Sequence, residues 1–111
     1  MAYVPERNDM IWITLDPQAG HEQSGRRPAL VLSPLSYNRK LGLAIICPIT
    51  SQIKAFPFEV NIPEGLKVKG VILADQAKSI DWQIRHATFI EKLSDEIRVE
   101  VLGKLNTLLN I

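Results

Sequence analysis

Short apolar runs alternate with turn-forming residues along most of the chain. Each run is rich in Val, Ile, Leu or aromatic residues, and Pro, Gly, Asp and Asn stand between the runs. Runs of this length between turn signals predict β-strands. The predicted strands are residues 10–15, 28–33, 43–49, 56–62, 70–74 and 86–91.

The period of the pattern changes near the C-terminus. Apolar residues there recur every three or four positions and predict one packed face of a helix: Ile97, Val101, Leu105, Leu108 and Leu109. Ser94 is suited to cap the first turn, and Asp95 and Glu96 favour the positive end of the helix dipole. We therefore expect one C-terminal helix that packs on the strands.

These elements predict a fold that is mainly β with a C-terminal helix. The chain has 111 residues, of which 46% are hydrophobic, enough for one compact domain over residues 1–111. Six short strands and one helix in so short a chain predict a small, partly closed antiparallel barrel or a strongly curved sheet.

Charge and cysteine content narrow the possible functions. The formal net charge is +1, from 13 Lys and Arg against 12 Asp and Glu, so any site for a polyanion must be local. The single cysteine, Cys47, lies in the apolar run LAIICPI and predicts a buried, inert thiol.

His21 and His86 are far apart, so we expect no metal and no cofactor. Without a signal peptide or an apolar run of about 18 residues, we expect a cytoplasmic protein with no membrane association.

The segment GHEQSGRRPALV, residues 20–31, concentrates candidate chemistry in one loop. Pro28 biases Arg27 toward extended backbone, which gives the Arg27 side chain a defined direction. A guanidinium fixed in this way can bind phosphate oxygens through two parallel hydrogen bonds. Arg26 should point to the other face. His21 and Glu22 could act as acid and base if the fold brings them to one pocket, although a His beside a Glu is more often a surface ion pair.

Two later segments carry further polar groups. In PITSQIK, the hydroxyl groups of Thr50 and Ser51 could donate to a phosphate oxygen, or cap a turn. In ADQAKSIDWQIR, amides and hydroxyls could read base edges, and Trp82 offers a stacking face. Aromatic residues such as Trp12, Phe56 and Trp82 are also common in cores and interfaces.

The order and spacing of three motifs resemble the MazF/Kid/PemK family of toxin endoribonucleases. The motifs are D-P-x-x-G-x-E-Q-x-G-x-R-P, S-P-x-x-Y-N and P-I-T-S, and the resemblance covers nearly the whole chain. It implies a homodimer of SH3-like barrels that cleaves single-stranded RNA at short sequences without a metal. It also implies that the RNA 2′-hydroxyl is the nucleophile and that an acidic antitoxin protein is the partner.

The resemblance also assigns residues by position. The implied catalytic residues are Arg27, Thr50, Glu22 and His21. The implied RNA contacts are Gln23, Ser51, Gln52, Lys54, Phe56, Asp75, Gln76, Lys78, Trp82 and Arg85. Kid-type members have an arginine where this chain has Leu73, so their Arg-Asp-His scheme does not transfer whole.

Two other functions remain compatible with the pattern. CcdB shares this barrel but poisons DNA gyrase by binding it, without need of the loop cluster or Thr50. A noncatalytic RNA-binding barrel is the second alternative. Cleavage that depends on Arg27 would separate the endoribonuclease from both.

Overall fold

A central strand, β3 (Leu43–Thr50), organises the fold. The computed structural model describes residues 3–15 and 25–110. One edge of β3 pairs with β2 (Gly25–Val31). Its other edge pairs with two different strands, β6 (Lys78–Asp81) along residues 43–46 and β5 (Val71–Leu73) along residues 49–50. Because β3 is shared in this way, it lies at the bend of a strongly curved sheet.

The remaining elements extend the sheet and cover it. Strand β1 (Asp9–Leu15) lies between β2 and β7 (Thr88–Lys92), and β4 (Glu59–Asn61) pairs with β5. The helices are α1 (Leu35–Leu41) and α2 (Asp95–Leu109), and a 3-10 turn spans Ala74–Gln76. Every strand pair is antiparallel, in the order β4-β5-β3-β2-β1-β7 with β6 branching from β3. The predicted class, mainly β with a C-terminal helix, is confirmed, and within the described strands the sheet is curved but not closed.

Apolar side chains pack on both faces of the sheet. One cluster, which includes Met10, Leu30, Ile49 and Ile72, also contains Val101 of α2. The second cluster, on the opposite face, includes Ile11, Ile13, Val31 and Ile46. Alternate residues of β1, β2 and β3 therefore enter different clusters, as the two-residue period of a strand requires.

Helix α2 begins as predicted. The Ser94 hydroxyl oxygen accepts a hydrogen bond from the Ile97 backbone N–H at 3.4 Å, and Val101 is fully buried. The predicted apolar face extends too far, because Leu108 and Leu109 are 50% and 70% exposed. These two leucines lie in the last turn of the helix, where the described part of the chain does not cover them.

Two elements differ from the predicted pattern. The segment between the predicted strands 28–33 and 43–49 carries turn-forming residues, but residues 35–41 form helix α1, which ends at Gly42 with φ +69°. Strand β6 lies between the predicted strands 70–74 and 86–91, in a polar segment for which no strand was predicted. Its single buried apolar residue, Ile80, is too short a pattern to indicate a strand by itself.

Asn38 of α1 is a fully buried polar residue. Its amide nitrogen donates to the carbonyl oxygens of Pro5 and Ser33, at 2.8 and 3.1 Å, and its side-chain oxygen accepts from the Ser33 hydroxyl. Its backbone oxygen accepts from the Trp82 indole N–H at 2.9 Å. The S-P-x-x-Y-N motif therefore stabilises the fold, because buried polar groups must be hydrogen-bonded.

The predicted buried thiol is confirmed. Cys47 is fully buried in β3, and burial, with the Asp75 charge as a smaller cause, raises the pKa of its thiol to about 12. Neither helix of the described chain has the length and apolar character needed to cross a membrane.

Candidate active site

Three candidate residues lie on one face of the curved sheet. On β3, Thr50 follows Ala44, Ile46 and Pro48 at two-residue steps, and on β6 Lys78 pairs with Ile46. Side chains two residues apart in a strand point to the same side of the sheet. Thr50 and Lys78 therefore share the face that carries Ile46, and this face is called the Thr50 face below.

The register of β2 against β3 adds Arg27 to this face. Ala29 lies opposite Pro48 and Val31 opposite Ile46. Continued by two residues, the same antiparallel register sets Arg27 opposite Thr50. Arg27 is exposed and extended, as the following proline predicted, so the structure brings the two strongest catalytic candidates to neighbouring strand ends.

Thr50 lies at a tight backbone junction. Its Oγ1 accepts a hydrogen bond from the Gln52 backbone N–H at 3.1 Å, which turns the chain out of β3. On the other side, Gly70 approaches so closely that a Cβ atom at that position would lie 2.1 Å from the Thr50 carbonyl oxygen. Gly70 also has φ +126°, a conformation that L residues rarely adopt. The position of Thr50 therefore depends on a glycine at residue 70.

Four of the candidate RNA contacts lie in the exposed loop that directly follows Thr50. Residues 51–58 connect β3 to β4, and this segment is called the specificity loop below after the RNA contacts that the family resemblance predicts for it. It carries the exposed side chains of Ser51, Gln52, Lys54 and Phe56. Phe56 packs on Phe58 with ring centroids 5.6 Å apart and an angle of 42° between the ring planes.

Asp75 and Gln76 form the 3-10 turn that follows β5. Burial raises the pKa of the Asp75 carboxyl, and the negative charge of Glu59 raises it further. The backbone hydrogen bond within this turn acts in the opposite direction. At this exposed position the Asp75 carboxylate could accept a hydrogen bond from a donor on a base edge.

Arg26 points away from the Thr50 face, as predicted from strand alternation. Its guanidinium donates to the hydroxyl oxygens of Thr14 and Thr88, at 3.0 and 3.1 Å, and to the Arg85 carbonyl oxygen at 3.3 Å. The backbone N–H of Thr14 also donates to the Arg85 carbonyl oxygen, at 2.8 Å. Arg26 thus fixes the turn that carries Arg85, which is a structural role for this half of the arginine pair.

The described residues contain no group of three or more His, Cys, Asp or Glu side chains that could hold a metal ion. A groove of about 640 Å³ lies between the specificity loop and the β4–β5 connection. Ile53, Ile62, Leu66 and Lys69 help to line it. Neither Arg27 nor Thr50 lines this groove, so the candidate chemistry lies outside it, where exposed Arg27 and half-buried Thr50 end the packed part of the Thr50 face.

Comparison with known proteins identifies the family. A family model described as "PemK-like, MazF-like toxin of type II toxin-antitoxin system" matches residues 6–109. The chain belongs to this toxin family. The match spans almost the whole chain, so the arrangement on the Thr50 face lies in a PemK/MazF-like toxin domain.

Individual relatives agree over nearly their full lengths. The endoribonuclease toxin MazF of Escherichia coli (strain K12) is 46% identical over 107 residues, which is 96% of each chain. The crystal structure of MazF (Form-I) from Deinococcus radiodurans is 49% identical, with a TM-score of 0.94 over 99% of this chain and 100% of that one. A MazE-MazF structure (Form-II) from the same organism is 43% identical, with a TM-score of 0.87 over 99% of each chain.

One candidate RNA contact of this PemK/MazF-like chain must be corrected. Trp82 is only 7% exposed, packs in the cluster around Ile46, and uses its indole N–H to bond Asn38. It offers no open ring face for base stacking, so we assign it to the core. His21, Glu22 and Gln23 lie outside the described residues.

Sequence reasoning missed two residues that shape the candidate site. Neither Gly70 nor Glu59 belongs to one of the motifs that suggested candidate residues, so neither was a candidate. The acidic residue inside the run FPFEVNI was the available signal for Glu59, because a carboxylate in an apolar strand must find buried partners. No local pattern distinguishes Gly70 from the other glycines.

Proposed function

We propose that this chain is a sequence-specific, metal-independent endoribonuclease that cleaves single-stranded RNA and acts as the toxin of a toxin–antitoxin pair. The observation that carries the proposal is the register of β2 against β3, which, continued by two residues, aligns exposed Arg27 with Thr50 on one face of the sheet. Membership of the PemK/MazF-like toxin family supports the same function. So does the name endoribonuclease carried by its relatives.

The proposed reaction is an internal transesterification. The 2′-oxygen of the RNA attacks the adjacent phosphorus, a P–O2′ bond forms, and the P–O5′ bond breaks. A base takes the 2′-hydroxyl proton, and an acid gives a proton to the leaving 5′-oxygen. The products are a 2′,3′-cyclic phosphate, or a 3′-phosphate after hydrolysis, and a 5′-hydroxyl. DNA lacks the nucleophile.

We assign the chemical roles by charge and position. The Arg27 guanidinium neutralises the charge that develops on the phosphorane, because fixed donors act most strongly where transition-state charge appears. The Thr50 hydroxyl orients the phosphate. Glu22 and His21 are the proposed proton carriers or partners of Arg27. An unperturbed guanidinium is a poor base, so we assign Arg27 to charge stabilisation first.

The proposed RNA surface surrounds these groups. Charged and polar side chains there would contact the phosphates and base edges, and Phe56 would stack on a base. The set comprises Gln23, Ser51, Gln52, Lys54, Phe56, Asp75, Gln76, Lys78 and Arg85. Its positive members are local, in keeping with a chain whose net charge is only +1.

We further propose a homodimer, an antitoxin partner and a cytoplasmic location. The MazE-MazF structures of Deinococcus radiodurans support the antitoxin partner. Three exposed apolar residues on one face of α2, Val99, Leu102 and Leu109, support a protein–protein contact there.

The test is cleavage of a long single-stranded RNA by purified protein in EDTA, beside an all-DNA copy of the same sequence. We expect cuts in the RNA alone, at a recurring short sequence, with 5′-hydroxyl ends. Intact RNA in the presence of folded protein would contradict the proposal and favour a binding module. A requirement for added divalent metal would refute the metal-independent mechanism.

A further inference from the structure

Glu59 is a carboxylate buried beside the specificity loop. It begins β4 and is only 8% exposed. Acidic residues are rarely buried to this extent unless the carboxylate is paired or hydrogen-bonded. Its partners therefore indicate what it does.

Those partners are backbone N–H groups of the specificity loop. The Ala55 N–H donates to Glu59 Oε1 at 3.0 Å, and the Lys54 N–H lies 3.3 Å from both carboxylate oxygens. The Glu59 backbone N–H donates in turn to the Phe56 carbonyl oxygen at 3.1 Å. Three consecutive loop residues are thus attached to one side chain and its own backbone.

The loop shape at this point needs such support. Ala55 has φ +59°, in the left-handed region that costs an L residue about 1–2 kcal/mol. Hydrogen bonds to a charged acceptor are among the stronger hydrogen bonds in proteins. The carboxylate of Glu59 offsets the strain at Ala55 and fixes the directions of Lys54 and Phe56.

Strand register places this carboxylate on the Thr50 face. Thr50 pairs with Val71, and Glu59 pairs with Leu73, two residues further along the same strand. Glu59 and Thr50 consequently point to the same side of the sheet. The backbone of Glu59 is also held in place by helix α2, because Lys104 Nζ donates to the Glu59 carbonyl oxygen at 2.7 Å.

We propose that Glu59 is a positioning residue that holds the specificity loop in the shape that presents Lys54 and Phe56 to RNA, and so helps to select the cleavage sequence. The inference rests on the proposed endoribonuclease function. Glu59 itself touches neither the scissile phosphate nor the attacking oxygen; it acts through the loop backbone.

Two substitutions separate this role from a purely electrostatic one. Glu59→Gln keeps the side-chain length but replaces one acceptor oxygen with a donor that faces the loop N–H groups. Glu59→Asp keeps the negative charge near Asp75 but draws the carboxylate back by one methylene. Both variants loosen the loop, whereas only the first removes the charge.

Glu91→Gln is the matched control. The Glu91 carboxylate also accepts a loop backbone N–H, that of Lys67, at 2.9 Å. The connection that contains Lys67 carries none of the proposed RNA contacts. If the loss of any hydrogen bond between a carboxylate and a loop were enough to change RNA cleavage, Glu91→Gln would therefore show the same change as the Glu59 variants.

The experiment compares cleavage of a short RNA library with randomised bases around the cut, steady-state kinetics on the preferred RNA, and amide hydrogen exchange of residues 52–58. For both Glu59 variants we expect a KM about tenfold higher, kcat within about threefold, and a broader base preference. We also expect faster exchange in the loop. Glu91→Gln should match the wild type in KM, kcat, base preference and loop exchange.

Several results would overturn the inference. Unchanged KM and base preference in both Glu59 variants would do so, as would the same change in Glu91→Gln. A loss in kcat alone with unaltered loop exchange would assign Glu59 to the chemistry instead. If both variants are unfolded, Glu59 maintains the fold and not the loop. If the wild type cleaves no RNA, the proposed function itself fails, and the inference about RNA fails with it.

Discussion

The close contact between Gly70 and Thr50 yields a quantitative prediction. In Gly70→Ala, the new Cβ atom would lie 2.1 Å from the Thr50 carbonyl oxygen and 2.8 Å from its carbonyl carbon. Real Cβ contacts essentially never fall below 3.0 Å, so one of the two backbone segments must move by about 1 Å. Because the neighbouring atoms belong to the backbone, no side-chain rotation can relieve the contact.

The expected effect has two parts. The φ of +126° at residue 70 lies beyond the left-handed helical region and alone costs alanine about 1–3 kcal/mol of folding stability. The displacement of Thr50 acts on activity, because a misplacement of about 1 Å near the reacting groups can reduce a rate by about a hundredfold. We therefore expect kcat/KM for RNA cleavage to fall by about two orders of magnitude in the folded variant.

Gly65→Ala separates the two parts. Gly65 also has a positive φ, +91°, but a Cβ atom there meets nothing within 4 Å. It should lose stability through its backbone conformation alone, without any steric overlap, and keep its activity. The assay is initial-rate cleavage of one RNA, at a temperature where thermal unfolding curves show both variants to be folded. Equal activities in Gly70→Ala and Gly65→Ala would refute the argument that Gly70 positions Thr50.

Two further predictions concern stability. Asn38→Ala leaves the buried carbonyl oxygens of Pro5 and Ser33 without their donor, so the variant should lose about 3 kcal/mol of folding stability and about 10 °C in thermal midpoint. The control Asn61→Ala, at an exposed position, should change stability by less than about 0.5 kcal/mol. Equal thermal midpoints for the two variants would contradict the structural role of Asn38. Because burial raises the pKa of the Cys47 thiol from its ordinary 9.0 to about 12, the unfolded thiol ionises first and the free energy of unfolding should fall as pH rises through this interval. In Cys47→Ala, the free energy of unfolding measured with urea should fall less steeply between pH 8 and pH 10.5 than in the wild type. Identical slopes for the two proteins would show that the thiol does not titrate in this way.

Strong periodic patterns were sufficient for most of the fold. The Ser94 cap and the helical spacing through Val101 predicted α2, and continuous apolar runs predicted β1 and β3, because burial dominates the choice of residues there. Helix α1 was missed because it has only seven residues and buries a polar residue, Asn38, instead of an apolar stripe. The signal for such an element lies in tertiary hydrogen bonds, which a local pattern does not contain.

The candidate site was predictable to a different extent. Arg27 could be assigned a direction because Pro28 constrains its backbone locally. Trp82 could not be placed, since an aromatic residue in a polar segment suits both a stacking surface and a core position. Glu59 and Gly70 depend on contacts between segments distant in the chain, the first through loop N–H groups and the second through a backbone approach.

The central claim is that Arg27 and Thr50 act on one phosphate, and a double-mutant cycle of RNA cleavage tests it most directly. The variants are Arg27→Ala, Thr50→Val and their combination, with Arg39→Ala as control, an exposed arginine on α1 at the opposite end of β3. We predict losses of about 100-fold to 1,000-fold in kcat for each single variant, little further loss in the double variant, and wild-type activity for Arg39→Ala. Retention of activity by Arg27→Ala or Thr50→Val, or losses that multiply in the double variant, would contradict the account.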